Sequence, residues 1–399
     1  LRVGLFSNAY HPLISGVVNS LEGIRTGLLQ AEHQVYLFAP KVRGYRDEQP
    51  GVFRFASLEM TKRVSYPIPI PYSGRLFKMI RKLDLDIIHA HHPILLGEVA
   101  ASFAHQKRVP LVYTFHTQLE HYSHYIPLNQ HVVKGMARSR LTRYLSKCDL
   151  VIAPSDGIRG LLDSYGFKGR VATLPNAIDT ARFTATVSGQ DWRLALGISR
   201  QATVSLSVGR LGREKNLDFL LTSFAKLPQS SGQPEHMLVL VGEGTEKPRL
   251  AKLAADLGIA QRVRFTGAVP YADMPAVYAA CDLFVICSTT EVKPLVVLEA
   301  LASGLPVLAV AACGTSDTLH HGFDGWLSPP HAEAYCEGWL ALVEGAAFRQ
   351  MLGAGGRQTA KAYSFDSYLR RLCELYRESI AEYRRRPSLQ VGAGARDAV

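Results

Sequence analysis

Short apolar runs rich in β-branched and aromatic residues recur along this chain, separated by stretches whose apolar positions repeat at helical spacing. In the first half the runs are Arg2–Phe6, Gln34–Ala39, Ile87–Ile88, Leu111–Thr114, Leu150–Ala153 and Val171–Leu174. The pattern restarts after residue 200 with Thr203–Val208, Met237–Val241, Val263–Thr266, Leu283–Ile286 and Pro306–Val310. Near-continuous apolar runs are the mark of strands buried on both faces, and strands alternating with helices predict parallel sheets covered on both sides. Two such sets predict an α/β chain of two doubly wound domains. A faint internal echo, Asp149-Leu-Val-Ile-Ala-Pro-Ser155 against Asp282-Leu-Phe-Val-Ile-Cys-Ser288, fits a duplicated plan.

Length agrees, since 399 residues exceed what one core holds and suggest two domains of roughly 180 residues each. Turn residues at Pro175-Asn-Ala-Ile-Asp179 place the division there, giving domains over 1–176 and 177–363. A late helix over 364–385 is expected to return to the first domain. The Arg-, Gly- and Ala-rich stretch 386–399 reads as a disordered tail.

Charge is lopsided. The chain carries a formal +11, and Leu1–Pro175 holds 22 Lys and Arg against 12 Asp and Glu. A basic first half suits an anionic partner, whether nucleic acid, acidic lipid or a phosphorylated substrate, or is simply a solvated basic domain. Interleaved aromatics and a reading helix are missing, which excludes nucleic acid as a partner. The six cysteines form no C-x-x-C pair and mostly lie in apolar runs, as reduced core residues of a cytoplasmic protein do. The most hydrophobic span, Leu295–Cys313, is interrupted by Glu299, Ser303, Gly304 and Pro306, so no membrane-crossing segment is expected. Leu1 opens a strand directly with no secretory leader before it, and the missing initiator Met suggests numbering that begins inside a longer chain.

In open α/β sheets ligands sit beyond the carboxyl ends of the strands. After Val208 comes Gly209-Arg-Leu-Gly-Arg-Glu-Lys-Asn216, with Arg210 and Lys215 five residues apart where a helix is expected to begin. A guanidinium fork, a compact ammonium and a helix start together suit a diphosphate, although alone such a loop is more often a solvated turn. Gly242-Glu-Gly244 is a second Gly turn after a strand. Glu291 and Glu299, eight residues apart in Glu291-Val-Lys-Pro-Leu-Val-Val-Leu-Glu299, can face one cleft and bind sugar and ribose hydroxyls, or can be two exposed glutamates. In the first half, Tyr10–Val18 has Gly16 opening a helix but lacks G-x-G-x-x-G, which argues against NAD-type binding. His116 follows a strand directly and suits polar contact with a substrate. His89, His91 and His92 follow another strand and read as cleft-lining or as satisfied structural histidines. The histidines of Phe115–Tyr125 have no acidic or Cys ligand patterned with them, and Asp84-Leu-Asp86 lies before a strand, so no metal site is expected.

Taken together, the Gly16 loop, His116, Pro175-Asn176, Gly209-Arg210 with Lys215-Asn216, Gly242-Glu-Gly244, Phe265-Thr-Gly267, Glu291 to Glu299 and Ala302-Ser-Gly304-Leu-Pro306 resemble the retaining glycosyltransferases of family 4. The resemblance spans residues 1 to about 385. It implies the GT-B fold, two Rossmann-like domains facing a deep cleft, and transfer of a hexose from a nucleotide-sugar donor with retained configuration. It further implies that cations replace a metal, so that no cofactor is needed. The roles it implies are catalysis by His116, Arg210, Lys215 and Glu291; donor binding by Gly16, Gly209, Arg210, Lys215, Gly242, Val269, Leu295, Val296 and Glu299; and acceptor binding by His11, His116, Tyr122 and Tyr125. Two departures stand out: Val292-Lys293-Pro294 replaces a Gly-rich segment, shifting an expected sugar contact because Pro294 lacks an N–H, and Ser15-Gly16 replaces Gly-Gly.

Thr114–Ile126 resembles the matching stretch of diacylglycerol glucosyltransferases, which implies UDP-glucose as donor and a lipid acceptor such as diacylglycerol. The basic, apolar-flanked segments Arg75–Lys82 and Lys134–Lys147 fit peripheral binding to an anionic membrane at its inner face, or are core-packed helices with solvated cations. Alternatives are a soluble family member acting on a small sugar or sugar phosphate, and a regulator that binds nucleotide sugar without turnover.

Overall fold

The computed structural model describes residues 1–13, 15–58, 67–116, 130–184, 188–228 and 235–386, with backbone alone at 130–134 and 313. Tyr122, Tyr125, most of Thr114–Ile126 and the stretch expected to be a disordered tail lie outside the described residues, apart from Arg386. The chain divides into two compact units, Leu1–Pro175 with Asp366–Val399, and Asn176–Phe365. Asn176, expected at the end of the first domain, belongs to the second. Its side chain donates to the Lys293 carbonyl at 3.4 Å, and its neighbour Ile178 bridges to Ser364.

The first unit carries a seven-stranded parallel sheet. Its strands are β1 (Arg2–Phe6), β2 (Gln34–Pro40), β3 (Val52–Phe55), β6 (Ile87–Ala90), β7 (Leu111–Thr114), β8 (Leu150–Ala153) and β9 (Val171–Thr173), with a small antiparallel pair, β4 (Ser57–Leu58) and β5 (Ile68–Pro69), beside them. The order is β3-β2-β1-β6-β7-β8-β9. The chain winds outward from β1 in one direction and from β6 in the other, so the switch point lies between these two strands. The last helix, Phe365–Arg384, buries Tyr368, Leu372, Leu375 and Tyr376, and Asp366 onward belongs to this unit. Arg170 holds it at the surface through Glu378 and Glu382.

The second unit repeats the plan with six parallel strands, β10 (Thr203–Val208), β11 (His236–Val241), β12 (Val263–Gly267), β13 (Leu283–Ile286), β14 (Val307–Val310) and β15 (Gly325–Ser328), ordered β12-β11-β10-β13-β14-β15. Strand residues alternate between two cores, as pleating requires. Val204, Leu206, Met237, Val239, Phe284 and Val307 enter one, while Leu238, Leu240, Leu283, Val285 and Leu308 enter the other. Trp339 in that second core donates its indole N–H to Ser205 Oγ at 2.8 Å, satisfying the polar atom a strand of this depth would otherwise strand. The switch point of this sheet lies between β10 and β13.

Candidate active site

The loops after β10 and β13 meet at that switch point, where ligands of open α/β sheets bind. Arg210 and Lys215 from the first loop line one small pocket with Gly209, Cys287 and Ser288. The local backbone departs from the expected direct helix start. Arg213–Lys215 forms a 3₁₀ turn, Asn216 caps it in the left-handed region at φ 53°, and the helix Leu217–Ala225 begins only then. Asn216 Nδ2 reaches across to the Cys287 carbonyl at 3.4 Å, and Ser288 Oγ donates to the Glu214 carbonyl at 3.0 Å, so the two loops are stitched together. A wider hollow among Arg81, Asp84, Phe103 and Lys107 of the first unit adjoins the N-terminal end of β6, away from any strand carboxyl end.

Two glycines make this corner possible. Gly242, at φ 137°, lies so close under the first loop that a Cβ would sit 2.0 Å from the Gly209 carbonyl oxygen. Gly209, at φ 153°, has the Lys215 Cε 3.4 Å from where its Cβ would be, which leaves room for the ammonium to lie over the strand end.

The cations are held by carboxylates. Lys215 Nζ donates to Glu291 Oε1 at 2.6 Å, with both side chains partly open to solvent. Arg210 Nε donates to Glu214 Oε1 at 3.1 Å, and Glu214 is buried. Glu214 is not legible in the sequence as a site residue; its one signal is the i, i+4 spacing to Arg210. The backbone of Glu291 passes close to Gly314, where a Cβ would meet its carbonyl oxygen at 2.5 Å. Lys293 of the departing Val292-Lys293-Pro294 segment turns inward, its ammonium donating to the Asp317 carbonyl at 2.9 Å and lying 4.7 Å over the Tyr363 ring. The segment thereby gains an anchor in place of glycine flexibility.

The structure thus gathers Arg210, Lys215, Glu291 and Gly209, with Gly242 beneath them. Glu299 differs from its expected cleft-facing placement. It lies in the helix Leu295–Ala302, is only 2% exposed, and accepts from Tyr278 Oη at 2.7 Å. Burial raises its pKa to about 7, against the lowering effect of hydrogen bonds from Tyr278 and Tyr271. Leu295 and Val296 form the first turn of that helix behind Pro294, and the Val296 carbonyl accepts from Tyr278 Oη at 3.2 Å. Val269 follows β12 and is half-buried against the core of this unit.

In the first unit the strand ends carry histidines. His116, after β7, has its Nε2 2.9 Å from Nδ1 of His91, which follows β6. His91 is buried, with its ring tilted against that of His89 and meeting that of His116 edge to edge, nearly coplanar with it. His89 has both nitrogens engaged, Nδ1 with Tyr376 Oη at 2.6 Å and Nε2 with Thr114 Oγ1 at 2.7 Å, and His92 Nδ1 accepts the Asn8 N–H at 3.1 Å. Burial pushes His89 and His116 down to about 3 and His92 to about 4, and holds His91 far below its ordinary value, so all four rings are neutral near pH 7. His89 and His92 are therefore structural, whereas His91 and His116 form a pair. Gly16 opens the helix Gly16–Gln30, capped by Ser15 Oγ accepting from the Val18 N–H at 3.3 Å. His11 lies beside Glu22, to which Tyr10 Oη also donates. Asp84 and Asp86 pair with Arg2 at the opposite, N-terminal end of the sheet.

Two family descriptions together span most of the chain: Glycosyltransferase Family 4 over residues 14–182 and Glycosyl transferases group 1 over 190–359. The chain is 31% identical to an alpha-monoglucosyldiacylglycerol synthase of Streptococcus pneumoniae over 77% of its own length and 71% of the relative's. The synthase of the same name from Acholeplasma laidlawii is 29% identical over 77% and 80%. A D-inositol 3-phosphate glycosyltransferase of Catenulispora acidiphila is 31% identical over 76% and 75%. Among solved structures, a sucrose-phosphate synthase from Thermosynechococcus elongatus superposes with a TM-score of 0.79 at 21% identity, covering 96% of this chain and 100% of that one. Strand-end cations at the switch point, two Rossmann-like units and these relatives converge on one conclusion: the chain is a hexose-transferring enzyme and belongs to the family 4 glycosyltransferases of GT-B fold.

Proposed function

We propose that this enzyme transfers glucose from UDP-glucose to diacylglycerol at an anionic membrane surface, with retained anomeric configuration and no metal. The observation that carries the donor side is the pairing of Arg210 and Lys215 over one pocket at the β10/β13 switch point. Two fixed cations neutralise a departing diphosphate, which is what a metal would otherwise do. In this reading Lys215 exchanges Glu291 for phosphate when donor arrives, and Glu291 turns to the sugar hydroxyls. Glu299, buried under Tyr278, reaches the ribose in this reading only if its carboxylate gives up that contact when donor binds, while Gly209, Gly242, Val269, Leu295, Val296 and Gly16 line the nucleotide sugar. The acceptor oxygen bonds to the anomeric carbon on the face the diphosphate leaves, and a diphosphate oxygen takes the acceptor proton. Glu291 orients the sugar without acting as nucleophile. His11, His116, Tyr122 and Tyr125 serve the acceptor.

The lipid acceptor is supported by the names of the two synthases above and by surface chemistry. The helix Gly74–Lys82 turns Phe77 inward against Phe55 and Phe103 and leaves Arg75, Lys78, Arg81 and Lys82 exposed beside Tyr72. Met136 is exposed with Arg138 and Arg140 on the helix Gln130–Leu145. Each such cation contributes about 1 kcal/mol near anionic lipid. Among the described residues no helix is long and apolar enough to cross a membrane. In this reading the contact is peripheral, at the cytoplasmic face.

Nucleotide release across a panel of nucleotide sugars, with and without diacylglycerol in phosphatidylglycerol vesicles, tests the proposal. UDP release from UDP-glucose that depends on diacylglycerol, together with sedimentation of the protein with the vesicles, is expected. Turnover on inositol phosphate or another small sugar phosphate with the protein left in the supernatant would overturn the lipid assignment, and donor binding without release on any acceptor would overturn the enzymatic one.

A further inference from the structure

The His91–His116 pair has a proton to place, and its surroundings decide where. The two rings share a single short contact, Nδ1 of His91 to Nε2 of His116 at 2.9 Å, and two neutral imidazoles can put only one hydrogen into it. If His116 donated through Nε2–H, the proton of His91 would sit on its Nε2. That atom is buried and has no hydrogen-bond partner among the described residues. A buried N–H without an acceptor is among the rarest defects in folded proteins, whereas an acceptor lone pair left unused is better tolerated. His91 is rigidly placed for the opposite arrangement. It directly follows β6, its backbone N–H donates to the Phe6 carbonyl at 2.9 Å, and its ring lies against His89, itself locked between Tyr376 and Thr114.

We propose that His91 is a positioning residue that donates Nδ1–H to His116 Nε2, which fixes His116 in the tautomer that carries its proton on Nδ1. His116 then offers the substrate a hydrogen-bond donor and no basic nitrogen. In glycosyl transfer it steadies an oxygen by donation and does not remove the acceptor proton, which leaves that proton for the diphosphate. This deepens the proposed transfer reaction and rests on it for the part His116 plays.

Long-range ¹H–¹⁵N spectra of the full chain with ¹⁵N-labelled histidine read the tautomers directly. The expected result is His116 protonated at Nδ1 with Nε2 bare, kept in His91→Asn, whose amide N–H₂ stands where Nδ1–H did, and lost to a mixture in His91→Leu. In UDP release, His91→Leu is expected to lower kcat roughly 10- to 100-fold with KM for the sugar donor little changed, and His91→Asn to restore most of it. His116 found protonated at Nε2 in the parent, an unchanged tautomer in His91→Leu, or equal kcat in all three chains would overturn the assignment. The spectra need no turnover, so that failure is separate from failure of the transfer reading, which would show as absent UDP release in the parent enzyme.

Discussion

Replacing Lys215 with alanine is expected to lower kcat by about 100- to 1,000-fold, with the fold intact. The ammonium lies over the end of β10, reaches Glu291 at 2.6 Å, and is partly exposed, so its removal costs little packing. What it removes is a fixed positive charge beside the departing diphosphate. Glu291 remains, and without its cation it adds like charge to the donor site, which deepens the loss. Arg210 requires a different variant. Its guanidinium donates to Glu214, a buried carboxylate, so Arg210→Ala breaks a charge-assisted contact and is expected to cost about 2 kcal/mol of stability besides activity. Arg210→Lys keeps the charge for Glu214 and loses only the fork. It is expected to retain most of the melting temperature while losing at least roughly tenfold in kcat. Steady-state UDP release and thermal unfolding, measured on all three variants, check this. Near-parental turnover in Lys215→Ala would remove the diphosphate role of the pair.

Glu299 is expected to make the second unit less stable as pH rises from about 4.5 to about 7. Folding raises its pKa from 4.5 to about 7, chiefly by burial. Between those values the folded chain holds a proton that the unfolded chain has released, so raising pH favours unfolding, by at most roughly 3 kcal/mol. Below 4.5 both states are protonated and nothing is lost. Above about 7 both are ionised and the whole penalty applies. Glu299→Gln cannot ionise and is expected to flatten this slope, matching the parent near pH 5 and exceeding its urea midpoint near pH 8. The same variant is expected to raise KM for UDP-glucose if the carboxylate accepts ribose hydroxyls. A parallel pH dependence in parent and Glu299→Gln would show that the carboxylate does not carry the effect.

Much of the fold could be read from the chain because its central strands are buried on both faces. Thr203–Val208, Leu283–Ile286, Leu111–Thr114 and Leu150–Ala153 have the limits the apolar runs predict. In the two parallel sheets the strands the pattern does not reveal, Val52–Phe55 and Gly325–Ser328, are edge strands, and the two-residue strands Ser57–Leu58 and Ile68–Pro69 are too short to show a pattern. An edge needs less apolar surface, so Arg54 in one and Gly325 and Ser328 in the other break the run. At the site, Arg210, Lys215 and Glu291 are legible because glycines after strands and cations near a helix start have a mechanism that sequence carries. Glu214 is not, since it acts through a partner brought near by the fold, and the contacts that give Asn216 and His91 their places, to Cys287 and to His116, are equally out of reach of the sequence. Glu299 is legible by spacing, but its burial under Tyr278 depends on a contact across 21 positions of chain. The 3₁₀ turn ahead of Asn216 is likewise invisible to helical periodicity, because it is too short to show a period.

The chain leaves its first unit at Pro175 and re-enters it at Asp366. Gly27 lies so near Leu369 that a Cβ there would come within 2.0 Å of the leucine methyl, and His89 keeps its Tyr376 contact only when the final helix is seated. During synthesis on the ribosome, the half that emerges first must wait with an open groove until the last helix arrives. The half that emerges second has all its strands in one continuous stretch and can mature ahead of it. Order of birth and order of completion are thus reversed, and a chaperone that shields nascent apolar surface would be needed longest by the amino-terminal half.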